Sequence, residues 1–272
     1  VELIGHAELL ATLAAGGSEA LILKSPRTAK TAITNQSGLT HRLLSPTRVD
    51  PARVRILDVS DIESLESALY GTRMPAFKHD EVALLGGRRE VAKRVIAAFL
   101  EHDGEQAISV ALEAGDPYGA IEVDSDKCTL CLACVSQCPT GALNDRSDRP
   151  EINLVENACV QCGLCANTCP EQAITLKPQL SFGKQTLEQV SLHGEDPFEC
   201  IECGRPFGVK STIERIIEKL DGNHWMYTNS DNTKLVKMCD DCRINAQYHD
   251  KNAPLRGPDR PRVRTTDDYL DS

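Results

Sequence analysis

The sequence predicts three folded regions in series: an open-sheet α/β domain over residues 1–105, a small α+β module over residues 106–180 and a four-cysteine domain over residues 195–245. Three observations predict this order. Helical and strand-like patterns alternate in the first hundred residues, two copies of a cysteine-rich repeat follow, and two Cys-x-x-Cys pairs come last. Alternating strands and helices are typical of a parallel α/β sheet, whereas one short repeat cannot bury a core by itself.

The first region is assigned from the spacing of its apolar residues. Helical spacing predicts helices over residues 1–15, 28–44, 61–69 and 89–101, with Asp61 as a cap. Short apolar runs predict strands at 19–24, buried on both faces, and at 54–57. The chain begins without methionine and inside a helical pattern, so we expect a fragment or a processed product whose α/β domain is incomplete at its N-terminus.

Glycines and basic residues in this region raise two binding hypotheses. Gly86 and Gly87 precede Arg88 and Arg89, but the chain has no GxGxxG or GxxxxGK[ST] pattern, so we predict a loop and a helix start rather than a phosphate site. The stretch 24–55 is locally basic. This indicates either a solvated face or a docking surface for an acidic partner.

An internal repeat carries eight of the 12 cysteines. Residues 121–143 align with 152–174 at a constant offset of 31, and each copy contains C-x2-C-x2-C-x3-C-P. The first three cysteines of each copy come from one tight loop, which is short enough to wrap three corners of an iron–sulfur cube. Clustered spacing of this kind favours metal ligation in a reducing compartment over a disulfide framework. We expect the two copies to fold as one unit with pseudo-twofold symmetry.

The two runs, with Pro139 and Pro170, resemble the bacterial 2[4Fe-4S] ferredoxin module over about residues 118–177. In that family the fourth cysteine of each run ligates the other cluster. The resemblance therefore implies one cluster on Cys128, Cys131, Cys134 and Cys169, and a second on Cys159, Cys162, Cys165 and Cys138. Fully ligated cubes imply electron transfer rather than substrate chemistry at iron. Leu132 stands where the second run has Gly163, so equal reduction potentials are not expected.

The domain order is similar to that of multi-cluster iron–sulfur proteins that accompany formate dehydrogenases. The first domain, in runs such as ELLATLAAGG (8–17), resembles the small iron–sulfur subunit of hydrogenase and heterodisulfide reductase complexes. These resemblances imply that electrons enter one cluster, pass to its neighbour and leave to a docked protein. A formate dehydrogenase-type enzyme is the expected partner.

The last four cysteines form a separate candidate site made of Cys200, Cys203, Cys239 and Cys242. Gly204 completes a CxxCG knuckle similar to that of a zinc ribbon, which predicts structural zinc. A third iron–sulfur cluster, a disulfide and free thiols remain open, and His193 and His224 are alternative ligands. Beyond this site, residues 251–272 combine prolines with charges, and the composition predicts a disordered tail.

Composition narrows the function further. The net charge of −10 argues against nucleic acid as the main ligand, and no run of about 18 apolar residues predicts a membrane span. No signal peptide is recognised, so a cytoplasmic location is expected. We predict a non-catalytic electron-transfer subunit or domain of a larger oxidoreductase complex, with no catalytic residue of its own. The alternative is an assembly or redox-sensing regulatory factor whose clusters are structural.

Overall fold

The computed structural model of the chain describes residues 4–24, 30–57, 62–71, 73–100, 109–220 and 230–249. These residues divide into two compact units. The first consists of 1–123, 133–144 and 153–191, and the second of 124–132, 145–152 and 192–272. The predicted cap Asp61, the alternative ligand His224 and the predicted tail at 251–272 lie outside the described residues. The domain boundaries drawn from the sequence stay predictions.

The first unit begins with helices and strands in alternation, as the sequence predicts. Its N-terminal elements are α1 (His6–Ala14), β1 (Ala20–Leu23), α2 (Lys30–Leu44), β2 (Val54–Leu57), α3 (Ile62–Tyr70) and α4 (Arg88–Phe99). The strands and helices that carry the cysteine repeat are β3 (Ser109–Ala111), β4 (Gly119–Val123), α5 (Ala133–Ser136), β5 (Leu143–Asn144), β6 (Glu151–Leu154), α6 (Leu164–Thr168) and β7 (Ile174–Ser181).

The two N-terminal strands pair in parallel, in register from Ala20 with Val54 to Leu23 with Leu57. This confirms the parallel pairing that the helical crossover predicts. The prediction that β1 is buried on both faces is wrong, because Leu23 is 48% exposed. In the described residues β1 belongs to a sheet of only two strands, which leaves part of the strand uncovered. A wider open sheet stays a prediction.

Local contacts at the helix starts explain where α1 and α4 begin. Helix α1 begins at His6, later than the sequence predicts, because the Glu8 carboxylate accepts a hydrogen bond from the Gly5 backbone N–H at 2.8 Å and caps the first turn. Helix α4 begins directly after Gly87, and Gly86 adopts a positive φ of 99°. The glycine pair therefore forms a loop and a helix start, as predicted.

One apolar core runs through the first unit. Its largest fully buried side chains include Phe99 and Leu10 from the N-terminal helices, Tyr118 directly before β4 and Leu180 from β7. The N-terminal helices and the segments that flank the repeat therefore share one core. In this arrangement Arg89 of α4 contacts the second cysteine run.

The strand pairing reproduces the internal repeat. Leu143 pairs with Leu154 in β5–β6, and Val123 pairs with Ile174 in β4–β7. Shifting each residue of the first pair by the 31-residue offset, forward for 143 and backward for 154, gives the second pair. Helices α5 and α6 also start at equivalent positions, Ala133 and Leu164. The expected pseudo-twofold symmetry is present in this part of the first unit.

The second unit is small and centred on the last four cysteines. Its elements are β9 (Pro197–Glu199), β10 (Pro206–Val209), α7 (Lys210–Leu220), α8 (Ser230–Val236) and α9 (Asp240–His249), while β8 (Val190–Gly194) leads into it from the first unit. Cys200, Met238 and Cys239 are buried and contact Phe207 and Leu235. None of the helices in the described ranges has the length and apolar content that crossing a membrane requires.

Candidate metal centres

One cavity of the first unit brings together cysteines from both repeats. Cys138, the fourth cysteine of the first run, lines it together with Cys159, Cys162 and Cys165 of the second run. Apolar side chains such as Ile121, Leu154 and Leu176 form the remaining wall. This is the ligand set that the resemblance implies for the second cluster.

The other predicted set is divided between the units. Cys128 and Cys131 belong to the second unit, and Cys134 and Cys169 belong to the first. Cys134 is buried and Cys131 is exposed. The assignment of these four cysteines to one cluster stays a prediction.

The two cysteine loops have the same backbone conformation at equivalent positions. Positive φ angles occur at Leu130 (49°) and Leu132 (58°) in the first run, and at Gln161 (53°) and Gly163 (77°) in the second. Glycine adopts this region freely, whereas a residue with a Cβ pays about 1 kcal/mol or more. Leu132 therefore keeps the family conformation at an energetic cost that Gly163 avoids.

Backbone amides point at the fourth cysteine of each run. The Leu143 N–H donates to Cys138 Sγ at 3.5 Å, and the Ala173 N–H donates to Cys169 Sγ at 3.3 Å. Burial raises the pKa of the Cys138 thiol, but the donors from Leu143 and Thr140 outweigh it, so the pKa lies below the ordinary value. These contacts favour the thiolate, which is the form that ligates iron.

Gln161 contacts Cys159, the first cysteine of the second run, although no motif in the sequence indicates this contact. Its Nε2 donates to the Ala120 carbonyl at 2.6 Å and lies 3.4 Å from Cys159 Sγ. Gly119 leaves room for this side chain, because a Cβ there would lie 2.5 Å from Gln161 Cδ. A glutamine inside a CxxC loop gave no signal of this role in the sequence.

Two cations of α4 also contact the second cysteine run, and no motif in the sequence indicates these contacts. Arg89 donates to the backbone carbonyls of Asn157 at 2.8 Å and Cys159 at 2.7 Å. Lys93 donates to Asn157 Oδ1 at 2.6 Å. Burial lowers the pKa of Lys93 to about 8, so the ammonium stays mostly charged at neutral pH. Nothing in the local pattern around residue 89 reveals a contact 70 residues away.

The last four cysteines gather as the sequence predicts. The Sγ atoms of Cys200, Cys203, Cys239 and Cys242 all lie within 4.8 Å of one another, and those of Cys203 and Cys239 are 3.7 Å apart. Four sulfurs in a tetrahedron about 2.3 Å from one zinc ion would be about 3.8 Å apart. Among the described residues this is the one group of three or more His, Cys, Asp or Glu gathered for a single ion, and it does not include His193.

The backbone builds the four-cysteine group from a hairpin and a helix start. Strands β9 and β10 pair antiparallel and carry the Cys200–Cys203 knuckle between them, and Gly204 closes it with a φ of 70°. Cys239 directly precedes α9, and its N–H donates to Cys200 Sγ at 3.3 Å. An ion pair of 2.8 Å between Arg205 and Asp241 joins the hairpin to the first turn of α9.

The protonation of this group suits a metal ion. Burial raises the pKa of Cys200, but the amide donors, led by that of Cys239, lower it to about 6. Hydrogen bonding to Cys203 and Cys239 raises the pKa of Cys242 to about 12. Some of these thiols therefore ionise readily without metal, whereas Cys242 holds its proton and would release it when a cation binds.

Comparisons with known proteins agree with the cysteine geometry. Two family models, both described as a 4Fe-4S dicluster domain, match residues 127–174 and 158–207. A ferredoxin of Methanothermococcus thermolithotrophicus is 33% identical over 60 residues, which are 21% of this chain and 98% of that protein. The fold and the cysteine loops thus define a dicluster iron–sulfur protein.

Two further relatives are parts of larger enzymes. Pyruvate synthase subunit PorD of Thermotoga maritima is 37% identical over 57 residues, 21% of this chain and 57% of the relative. The NADH-dependent phenylglyoxylate dehydrogenase subunit delta of Aromatoleum evansii is 38% identical over 50 residues, 18% of this chain and 52% of the relative. The chain thus spans about half the length of these two curated relatives. Because the match covers nearly the whole ferredoxin, the chain belongs to the 4Fe-4S ferredoxin family.

Proposed function

We propose that the chain is an electron-transfer subunit or domain of an oxidoreductase complex and holds two [4Fe-4S] clusters. Cys159, Cys162, Cys165 and Cys138 hold one of them, and Cys128, Cys131, Cys134 and Cys169 hold the other. The proposal rests above all on the cavity in which Cys138 of the first run joins the three cysteines of the second. A [4Fe-4S] cluster supplies one-electron chemistry when it is bound there.

The surface around Cys162 suits electron exchange with a partner. Cys162 is exposed, and its neighbours Val160 and Leu164 are 37% and 44% exposed. Apolar side chains beside an exposed ligand allow a partner protein to approach closely and exclude water there. Two of the relatives named above are subunits of pyruvate synthase and of an NADH-dependent phenylglyoxylate dehydrogenase, which supports a protein partner. A formate dehydrogenase-type enzyme is the partner that the domain order predicts.

The experiment is anaerobic purification with iron, sulfide and zinc analysis, followed by reversible reduction with dithionite. About eight irons per chain in two clusters that cycle without loss support the proposal. Cys138→Ser should disturb the second cluster, whereas the neighbouring Ser136→Ala should leave both intact. Iron-free protein would refute the proposal. Clusters that bind but decompose on one redox cycle would favour the assembly or regulatory alternative.

We also propose structural zinc at Cys200, Cys203, Cys239 and Cys242. The sulfur separation of 3.7 Å supports one tetrahedral ion, because thiolates on four separate irons of a cube must lie farther apart. The family match that extends to residue 207 covers Cys200 and Cys203, so a third cluster is the competing assignment. Metal analysis of the same sample distinguishes the two.

A further inference from the structure

Arg89 of α4 is fixed against the loop that opens the second cysteine run. Its guanidinium donates to three backbone carbonyls, those of Pro117, Asn157 and Cys159. Its Cζ lies 4.4 Å from the centre of the Tyr118 ring. These four partners are neutral, so the contacts orient the positive charge without cancelling it. Arginine stays charged in proteins, which makes this a permanent positive charge beside a cluster ligand.

Lys93 adds a second charge on the same face of α4. It lies four residues after Arg89, one helical turn away, and donates to the side chain of the same residue, Asn157. Two acidic residues, Glu90 and Glu156, also interact with Arg89 at longer range. Arg89 and Lys93 are half-buried, whereas Glu90 is exposed and therefore more strongly screened by water. Glu156 is also half-buried and accepts a hydrogen bond from Gln179 Nε2 at 3.1 Å, whereas Arg89 donates directly to the Cys159 carbonyl at 2.7 Å.

The first cysteine run differs at the equivalent positions. Asp126 stands 31 residues before Asn157, and Asp124 forms an ion pair of 2.8 Å with Lys127. Residues 124–127 (two Asp and one Lys) and residues 155–158 (one Glu) carry the same formal net charge of −1, so what distinguishes the second run is its contact with the cations of α4. Reduction adds negative charge to a cluster, so nearby positive charge raises its potential and nearby negative charge lowers it.

We propose that the cluster on Cys159, Cys162, Cys165 and Cys138 has the higher reduction potential of the two, and that Arg89 sets this order. The inference rests on the proposed function and adds a direction to it. One electron at a time passes from a donor protein through the chain to an acceptor protein, with no bond made or broken. The transferred electron resides mainly on the cluster of higher potential, which has the exposed Cys162 among its ligands. Arg89 is a positioning residue, since it touches the ligand loop and not the reacting atoms.

The test compares Arg89→Met with Arg88→Met in reconstituted full-length protein. Arg88 is the neighbouring residue of equal charge, but its side chain is 63% exposed and pairs with Glu8 at 2.6 Å. Redox titration followed by electron paramagnetic resonance should resolve two one-electron steps. Cys162→Ser identifies the step that belongs to the second cluster, because it changes one of that cluster's ligands.

We expect Arg89→Met to lower the higher potential by the equivalent of a tenfold change in the reduction equilibrium, about 59 mV for one electron, and to leave the other step in place. Arg88→Met should move neither step. Arg89→Lys keeps the charge and should restore most of the potential. An unchanged upper step in iron-replete Arg89→Met, or a shift of the lower step alone, would overturn the inference while leaving the proposed function intact.

Loss of iron from Arg89→Met or from the wild-type protein is also interpretable. If Arg89→Met does not retain iron, Lys93→Met replaces it, and a downward shift of the same step supports the inference while no shift contradicts it. If wild-type protein itself contains no iron, the proposed function fails first. The iron content of the wild type therefore separates the two failures.

Discussion

Replacing Cys239 by serine should remove the proposed zinc site and leave the iron content unchanged. Cys239 is 1% exposed, its N–H donates to Cys200 Sγ at 3.3 Å, and its own sulfur lies 3.7 Å from that of Cys203. The substitution takes away one of four sulfurs and loosens two others. Oxygen from serine is a poor replacement, because the site offers zinc a closed shell of thiolates.

The size of the effect follows from how small the apolar cluster around these cysteines is. It consists of the buried residues Cys200, Met238 and Cys239 with a few partly buried neighbours. Structural zinc contributes about 10–16 kcal/mol in small zinc-finger peptides, as much as the total stability of about 5–15 kcal/mol of an ordinary domain. Loss of the ion should therefore unfold this unit rather than weaken it slightly.

The assay combines metal analysis, zinc X-ray absorption and limited proteolysis. Wild type should give about one zinc per chain with a single sulfur shell at about 2.3 Å, and Cys239→Ser should give none, together with rapid cleavage in the second unit. Ile244→Ser, in α9, which begins directly after Cys239, is 64% exposed in the parent; it is the control and should behave as wild type. Twelve irons without zinc in the wild type, or full zinc retention in Cys239→Ser, would refute the reasoning.

Three further predictions follow from the first unit and the cysteine loops. Leu132→Gly should raise the free energy of unfolding by about 1 kcal/mol and Gly163→Ala should lower it by about the same amount, because both positions have positive φ; two changes of the same sign in denaturant unfolding would contradict this. Phe99→Ala should cost about 3–5 kcal/mol in denaturant unfolding, since the ring is fully buried, and a cost below about 1 kcal/mol would show that the core is loose. Burial holds the pKa of His6 below its ordinary 6.5, and the neutral ring shares a hydrogen bond of 2.6 Å with Tyr118 Oη. The stability that neutral His6 contributes is therefore fully present above pH 6.5 and falls as the pH drops towards the lowered pKa. His6→Gln should flatten that part of the stability–pH curve, and an unchanged slope would assign it to another group.

Local patterns predicted the helices and strands of the N-terminal region. The helices at 30–44, 62–70 and 88–99, and the strands at 20–23 and 54–57, lie within a few residues of their expected positions. The errors occurred where burial depends on distant neighbours. Leu23 is apolar but exposed, because the strand pattern alone does not say how many strands cover it.

The sequence predicted the four-cysteine site but not the side chains that contact the second cysteine run, for the same reason. The four sulfurs at 200–242 were expected to meet, and they do, because paired Cys-x-x-Cys knuckles have few other uses. Arg89 and Lys93 gave no signal, since their contacts with Asn157 and Cys159 depend on how α4 lies against the repeat. Gln161 likewise acts through Ala120 and Gly119, which precede it by about 40 residues.

The sequence by itself determined the chemistry: ligand spacing inside a loop of a few residues is a local property, and a repeat with a constant offset shows which loops are equivalent. The tertiary structure decided the rest. It brought Cys138 into the cavity of the other run, and it placed the guanidinium of Arg89 against the carbonyl of Cys159. Contacts between residues so far apart in the chain arise from the shared core around Phe99 and Tyr118, and no periodicity or motif specifies them.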